Sequence, residues 1–257
     1  MTMATHPGQP PSLQVHGPVA SLRLNRPDLA NRLEVEDLHT LQNLLEQVNE
    51  NPSIRVLTLT ATGRHFCSGF NTGAVSRGDA GALFEALADA LEQSRPLTVA
   101  GINGGIFGGA TDLALACDFR IGVQSTSLFV PAAELGLHFY GSGLERYVSR
   151  LGLNKAKPGL LAAERLDASH MLSCGFLDKL VADADALQSE LERTAEHLSS
   201  LAPLAVQGMK RNLNRLARGP LDRELLARDI QCAMNSADFA EGVQAKAERR
   251  KPVFTGT

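Results

Sequence analysis

Hydrophobic and polar positions change rhythm repeatedly along this chain. Over residues 13–24 they alternate, the two-residue period of a half-buried strand, and the run ends in the turn-forming Asn25-Arg26-Pro27-Asp28. Val35, Leu38, Leu41, Leu44, Leu45 and Val48 then fall three and four apart, which predicts a helix over 34–50. Residues 54–60 are β-branched and alternating, a strand stopped by Gly63. A helix over 79–93, a buried strand over 97–102, a glycine-rich turn over 104–109, a helix over 110–117 and a strand over 118–123 continue the series. Helical spacing returns over 141–152, 156–163, 167–174 and 184–199, and no convincing strand follows residue 201. Strand and helix alternating in this way predict an α/β fold. The expected division is a loose tail over 1–12, an α/β body over 13–200 and a helical region over 201–257.

Composition narrows the class. A chain of 257 residues with 44% hydrophobic side chains fits one large domain, and with no Trp its core must be built from Leu, Ala and Val. The net charge of −3 comes from 25 basic and 28 acidic residues without long blocks of one sign. That leaves no electrostatic footprint for nucleic acid or an anionic membrane, and neither is expected as a partner. Cys67, Cys117, Cys174 and Cys232 have no metal-ligand spacing, so neither a zinc site nor disulfides are expected and a reducing cytoplasm is the expected compartment. The polar opening residues lack the apolar run of a signal peptide, and no apolar stretch reaches the length of a membrane span.

Two segments carry candidate chemistry, and each joins a strand to glycine: Arg64-His65-Phe66-Cys67-Ser68-Gly69-Phe70-Asn71, and Asn103-Gly104-Gly105-Ile106-Phe107-Gly108-Gly109-Ala110-Thr111-Asp112. Glycine lets backbone approach a ligand closely, and exposed amide N–H groups suit an anion or an oxyanion. Each segment is equally what a tight strand-to-helix turn looks like. A dinucleotide fingerprint is excluded in the second, where Ile106 stands in place of the required second glycine. Ser68 and Cys67 have no base beside them in sequence, which gives a nucleophilic triad little support.

The ordered set of segments resembles the crotonase (enoyl-CoA hydratase/isomerase) superfamily over about residues 13–254. Leu24-Asn25-Arg26-Pro27 with Asn31 and Leu33 is similar to its LNRPxxxNxL opening, and His65–Asn71 to its FxAGxD loop. The stretch from Asn103 through Cys117-Asp118 is similar to NGxxxGGGxELxxxCD, and Pro131–Leu137 to PExxLG. Leu201, Ala202 and Lys210 resemble the LAxxAxxxxK helix, and Glu241-Gly242 through Pro252 the EGxxAFxEKRxP ending. This resemblance implies a spiral of ββα units with a C-terminal helical trimerisation region, in a homotrimer or a dimer of trimers. It implies an acyl-CoA thioester substrate, coenzyme A arriving only as part of it, and no permanently bound cofactor or metal. The thioester carbonyl would sit between the backbone N–H groups of Phe70 and Gly109. CoA contacts would fall on Arg26, Asp28 and Ala30, on Ser68 and Asn71, and on Gly105 and Gly108. Pro131, Ala132 and Gly136 would complete the substrate wall, and Arg249, Arg250 and Lys251 would meet phosphates.

The departures from the pattern bear most on the reaction. The first of the family's two catalytic glutamates falls on Asp112, shorter but still an acid, which is the expected catalytic carboxylate. The second falls on Ala132, which can do no acid–base work. Asn71 replaces the loop Asp, and Ala110 the third Gly. Glu134, His138 and Tyr140 are the candidates for the missing group. The resemblance therefore implies an enolate-forming enzyme that is a weak hydratase. The alternatives are an acyl-CoA decarboxylase, a catalytically silent acyl-CoA-binding paralogue, and a purely structural scaffold that binds no CoA.

Overall fold

The structure is a computed structural model that describes residues 8–71, 80–220 and 222–257. Strands β1 (Ser12–His16) and β2 (Val19–Leu24) form a hairpin, where the alternation alone predicts one strand over 13–24. Gly17 and Pro18 break that run: Gly17 adopts φ +57°, and proline has no N–H for a ladder. A 3₁₀ turn (Pro27–Leu29) leads to α1 (Val35–Glu50), then β3 (Val56–Ala61), α2 (Ala80–Glu92) and β4 (Leu97–Ile102). After β4 come β5 (Ile106–Phe107), α3 (Ala110–Ala116), β6 (Phe119–Val123) and β7 (Ser127–Phe129). Next are α4 (Gly141–Leu151), α5 (Leu153–Leu161), β8 (Leu166–Asp167), α6 (Ala168–Ser173) and β9 (Lys179–Val181). Helices α7 (Ala184–Ser199), α8 (Pro203–Leu216), α9 (Arg223–Met234) and α10 (Ala237–Glu248) complete the chain. Beyond residue 201 the described residues contain no strand.

The main sheet runs β1-β2-β3-β4-β6-β9, parallel except for β1, and β5-β7-β8 form a small second sheet. Each face of the main sheet has its own apolar layer. Leu97 and Val99 of β4 pack with Leu187, Leu191 and Ala195 of α7. The alternate residues Ala100 and Ile102 join the larger core built on α1 and α2. Burial on both faces explains why β4 reads as an apolar run rather than a clean alternation.

Parallel pairing also positions the site. Because β3 and β4 are parallel neighbours, the segments leaving their carboxyl ends, 62–71 and 103–109, emerge at the same edge of the sheet. Loops at that edge are where open parallel sheets bind ligands. The two glycine segments are bridged to each other, Cys67 pairing with Ile106.

Candidate active site

The opening motif proves to be scaffold. Arg26 donates through Nε and Nη2 to the carboxylate of Asp37, whose side chain is 1% exposed. The same carboxylate accepts from the N–H of Glu34 at the start of α1. Asn31, with φ +54°, accepts from the Arg26 N–H and donates to the carbonyls of Thr62 and His65. These bonds fix where the 62–71 segment begins. Arg26 is therefore committed to α1 rather than presented to a phosphate, while Asp28 is exposed on the 3₁₀ turn. The Ala30 carbonyl accepts from Ser68 N–H, and Asn71 donates to Glu34 Oε2 at 2.7 Å, which ties both ends of the loop to the start of α1.

Two backbone N–H groups meet across the glycine segments. Leu33 N–H donates to Gly69 C=O, and Asn71 N–H to Leu33 C=O, so the intervening Phe70 N–H points away from Leu33. Gly109 immediately precedes α3, and among the described residues neither its N–H nor that of Phe70 has a protein acceptor. Gly69 has φ +94°, and a Cβ there would lie 2.8 Å from the Phe107 carbonyl oxygen and 3.5 Å from Gly109 N. The two amides are thus brought together by a contact that only glycine permits. A Cβ at Gly109 would come within 2.8 Å of the Phe84 ring, so α2 presses on this backbone from the other side. The Gly105 carbonyl accepts from Phe66 and Cys67, and Gly108 N–H donates to Phe129, which sets both in the frame.

A cavity of about 170 Å³ opens beside these amides. Its walls include Ser68, Phe70, Phe84, Gly108 and Gly109, and on the far side Pro131, Ala132, Leu135, Leu137, His138 and Tyr140. Tyr140 stacks on Phe139 with ring centroids 5.0 Å apart and stands 6.1 Å from Phe84. A larger cavity of about 430 Å³ lies between the end of α2 and α8. Most of its cations are already paired, Lys210 with Asp118 and Arg218 with Asp89 and Glu92, and it holds neither glycine segment. Both glycine segments line the smaller one.

Several expected site residues are placed elsewhere. Glu134 is exposed and outside the cavity wall, and Gly136, at φ +68°, only turns the chain. His138 lines the cavity but is exposed, and its Nδ1 lies 2.6 Å from the Phe139 carbonyl. A carbonyl can only accept, so Nδ1 is the donor in this contact. Arg250 of the basic tail is held by Glu241 and Glu248. Burial pushes the Cys67 thiol up to about 12, so it is no nucleophile at neutral pH.

The main correction concerns Asp112. Its side chain is fully buried and is absent from the cavity wall. Arg146 of α4 donates from Nε to Oδ1 at 2.8 Å and from Nη2 to Oδ2 at 2.6 Å. The Tyr140 hydroxyl donates to Oδ2 at 2.7 Å, and Tyr140, unlike Asp112, lines the cavity. Arg146 also reaches Asp89 and Glu92, and Arg150 and Arg218 close the far side of this network. Burial works against the guanidinium charge, but the bonds to Asp112 and Asp89 outweigh it and raise the Arg146 pKa. The sequence expectation passed over Arg146 because it sits on a predicted helix without motif context. Its signal was spacing: the inward face of α4 carries Ser142, Gly143, Arg146 and Tyr147, a charge where an apolar residue belongs.

The fold and site define a class, and the comparisons agree with it. The family described as enoyl-CoA hydratase/isomerase matches residues 14–257, and this chain belongs to it. Bacillus subtilis YngF, named as an enoyl-CoA hydratase/isomerase, is 31% identical over 93% of this chain and 95% of its own length. Carnitinyl-CoA dehydratase of Citrobacter koseri is 28% identical over 94% of this chain and 96% of its own. The crystal structure of enoyl-CoA hydratase from Bacillus anthracis superimposes with a TM-score of 0.90 at 29% identity, covering 97% of this chain and all of that one. Its likeness establishes the crotonase fold. Among the described residues no helix is long and apolar enough to cross a membrane, and no group of three or more His, Cys, Asp or Glu side chains is arranged to hold a metal.

Proposed function

We propose that this chain binds acyl-CoA thioesters and stabilises the thioester enolate between the N–H groups of Phe70 and Gly109. The single observation that carries the reading is the pair of amides, without an acceptor among the described residues, held together at Gly69 beside an apolar cavity. Negative charge grows on the thioester oxygen as the enolate forms, and fixed donors aimed at that oxygen stabilise the transition state more than the ground state. One such donor is worth about 10²–10³ in kcat. The names of the relatives, several of them carnitinyl-CoA dehydratases, support a CoA thioester as ligand. Coenzyme A enters with the substrate and no resident cofactor is needed for this step.

The enzyme is a poor hydratase in this reading. Hydration needs groups to activate water and to protonate carbon; Ala132 offers none, and the Asp112 carboxylate is occupied by Arg146. Exposed Met209, Leu213, Leu216, Ile230 and Met234 on α8 and α9 support self-association, which we read as a homotrimer or a dimer of trimers. The test is a panel of enoyl-, hydroxyacyl- and carboxyacyl-CoAs followed by mass spectrometry, together with exchange of the α-hydrogens of a saturated acyl-CoA in D₂O. Exchange or turnover is expected, and Gly109→Ala should reduce it about 10²-fold or more. Tight acyl-CoA binding without exchange or turnover would instead identify a silent binding protein.

A further inference from the structure

The larger cavity, between the end of α2 and α8, is cationic. Its volume of about 430 Å³ falls within the range of small-ligand sites, about 300–1,000 Å³. Its walls carry Arg95, Lys210, Arg211, Arg215 and Arg218 against the single carboxylate of Glu92, and it shares no lining residue with the acyl cavity. Two bonds fix those walls. Lys210 Nζ donates to the Pro96 carbonyl at 2.8 Å, and Asn214 Nδ2 to the Glu92 carbonyl at 3.0 Å. Helix α8 is thereby pinned to the segment that leaves α2, and the space between them is part of the frame.

Charge pairing around this space is incomplete. Lys210 has Asp118 and Arg211 has Asp229. Arg218 shares Asp89 with Arg146, and Glu92 with Arg146 and Arg150. Among the described residues, Arg95 and Arg215 have no carboxylate. Arg95 donates through Nε and Nη2 to the carbonyls of Val48, Asn49, Asn51 and Ile54, which closes the end of α1 and leaves Nη1 over. Burial lowers the Arg95 pKa, with no anion beside it to oppose the shift. Arg215 makes neither a hydrogen bond nor an ion pair within the described chain. Lys210, 5% exposed, spends two of its three N–H donors on Asp118 and Pro96. The side-chain amides of Gln93 and Gln207, on the same walls, make no hydrogen bond among the described residues.

Helix α8 keeps this surface apart from its apolar one. Gln207, Lys210, Arg211, Asn214 and Arg215 recur three and four apart and line the cavity. Met209, Leu213 and Leu216 repeat at the same spacing on the opposite side. Self-association through the apolar side leaves the cationic side free.

Two guanidinium charges without a counter-charge suit a dianion. A phosphate monoester carries about −1.5 to −2 at neutral pH, and its oxygens match guanidinium donors. Phosphate alone would leave most of the cavity unfilled, whereas the amides of Gln93 and Gln207 can meet hydroxyl groups of an attached body. We infer that this cavity is a second binding site, for a phosphate monoester of a small polyhydroxy molecule, with Arg95 and Arg215 taking the phosphate. The inference does not depend on the enolate reading. Coenzyme A also carries a phosphate monoester, so the test has to separate the two sources.

The full-length protein would be titrated calorimetrically at low ionic strength with ribose 5-phosphate, with ribose and with inorganic phosphate. Ribose 5-phosphate should bind saturably, inorganic phosphate about tenfold or more weaker, and ribose not at all. Saturating butyryl-CoA should leave the affinity for ribose 5-phosphate unchanged. Arg215→Gln should weaken it about tenfold or more without moving the unfolding midpoint, because Arg215 has no partner in the described fold. Gln207→Glu sets a carboxylate among the cations at nearly constant size and should weaken it as much. Absence of saturable ribose 5-phosphate binding would overturn the site, and so would an unaltered affinity in either variant. Competition by butyryl-CoA would assign the phosphate contact to the coenzyme and overturn a separate site. Equal affinity for inorganic phosphate would overturn the ester.

Discussion

Arg146 grips both oxygens of Asp112, at 2.8 and 2.6 Å, with side-chain exposures of 1% and 0%. This relationship decides what Asp112 can do. Two charge-assisted bonds from Arg146 and a third from Tyr140 engage both oxygens of a carboxylate that does not line the cavity.

Asp112→Asn should therefore destabilise the fold. Removing one partner of a fully buried pair typically costs about 3–5 kcal/mol. Here Asp89 and Glu92 still face Arg146, so the expected loss is smaller, about 2–4 kcal/mol. Urea unfolding monitored by circular dichroism reads it directly. A loss below about 0.5 kcal/mol, the range of ordinary surface changes, would show that the pair carries little of the structure.

Arg26→Ala should likewise act on stability more than on ligand affinity. The change strips the bidentate partner from Asp37, which also holds the first turn of α1. About 2–4 kcal/mol of stability should go, while acyl-CoA affinity of the folded fraction falls less than about tenfold. Calorimetric titration beside the unfolding curve separates the two, and a selective collapse of affinity would return Arg26 to the CoA site.

Much of this could be read in the sequence, for physical reasons that differ by element. Helix α1 was legible because its partner surfaces lie on one side, so Leu38, Leu41, Leu45 and Val48 had to repeat at helical spacing. The two glycine segments were legible because close backbone approach demands glycine, and glycine shows in a sequence; the choice of the Phe70 and Gly109 amides within them came only from the family resemblance. The occupation of Asp112 was not reachable in that way. It depends on Arg146 and Tyr140, 34 and 28 residues further on, and on how α4 docks against α2 and α3. A pattern assigns a role to a position; only the fold shows whether another charge already fills it. The paired tail Arg250 escaped for the same reason, since its partners Glu241 and Glu248 belong to α10.

Acid should probe the far side of the same network through Asp89. Partial burial alone would raise this carboxyl, but its bonds to Arg146 and Arg218 outweigh that and hold it below the usual Asp value. A folded-state pKa below the unfolded one means that the folded protein prefers the ionised form. That contribution is complete above the unfolded pKa, about 3.9, and is lost as pH falls from there through the folded pKa. One group can tilt the stability curve by at most about 1.4 kcal/mol per pH unit. Half-buried Glu190 and Glu241, held down to about 2 by neighbouring cations, add their own acid dependence. A comparison with Asp89→Asn cancels them, because both carboxylates remain in the variant. At neutral pH the parent should be the more stable protein, since the variant leaves Arg146 and Arg218 short of an anion. As the pH drops from about 5 to about 2.5 the two unfolding free energies should converge, because the parent is losing a carboxylate that the variant never had. Urea titrations at half-unit pH intervals measure that convergence. Parallel curves across the window would mean that Asp89 titrates alike in the folded and unfolded chains, and that its bonds to Arg146 and Arg218 do not hold its proton off.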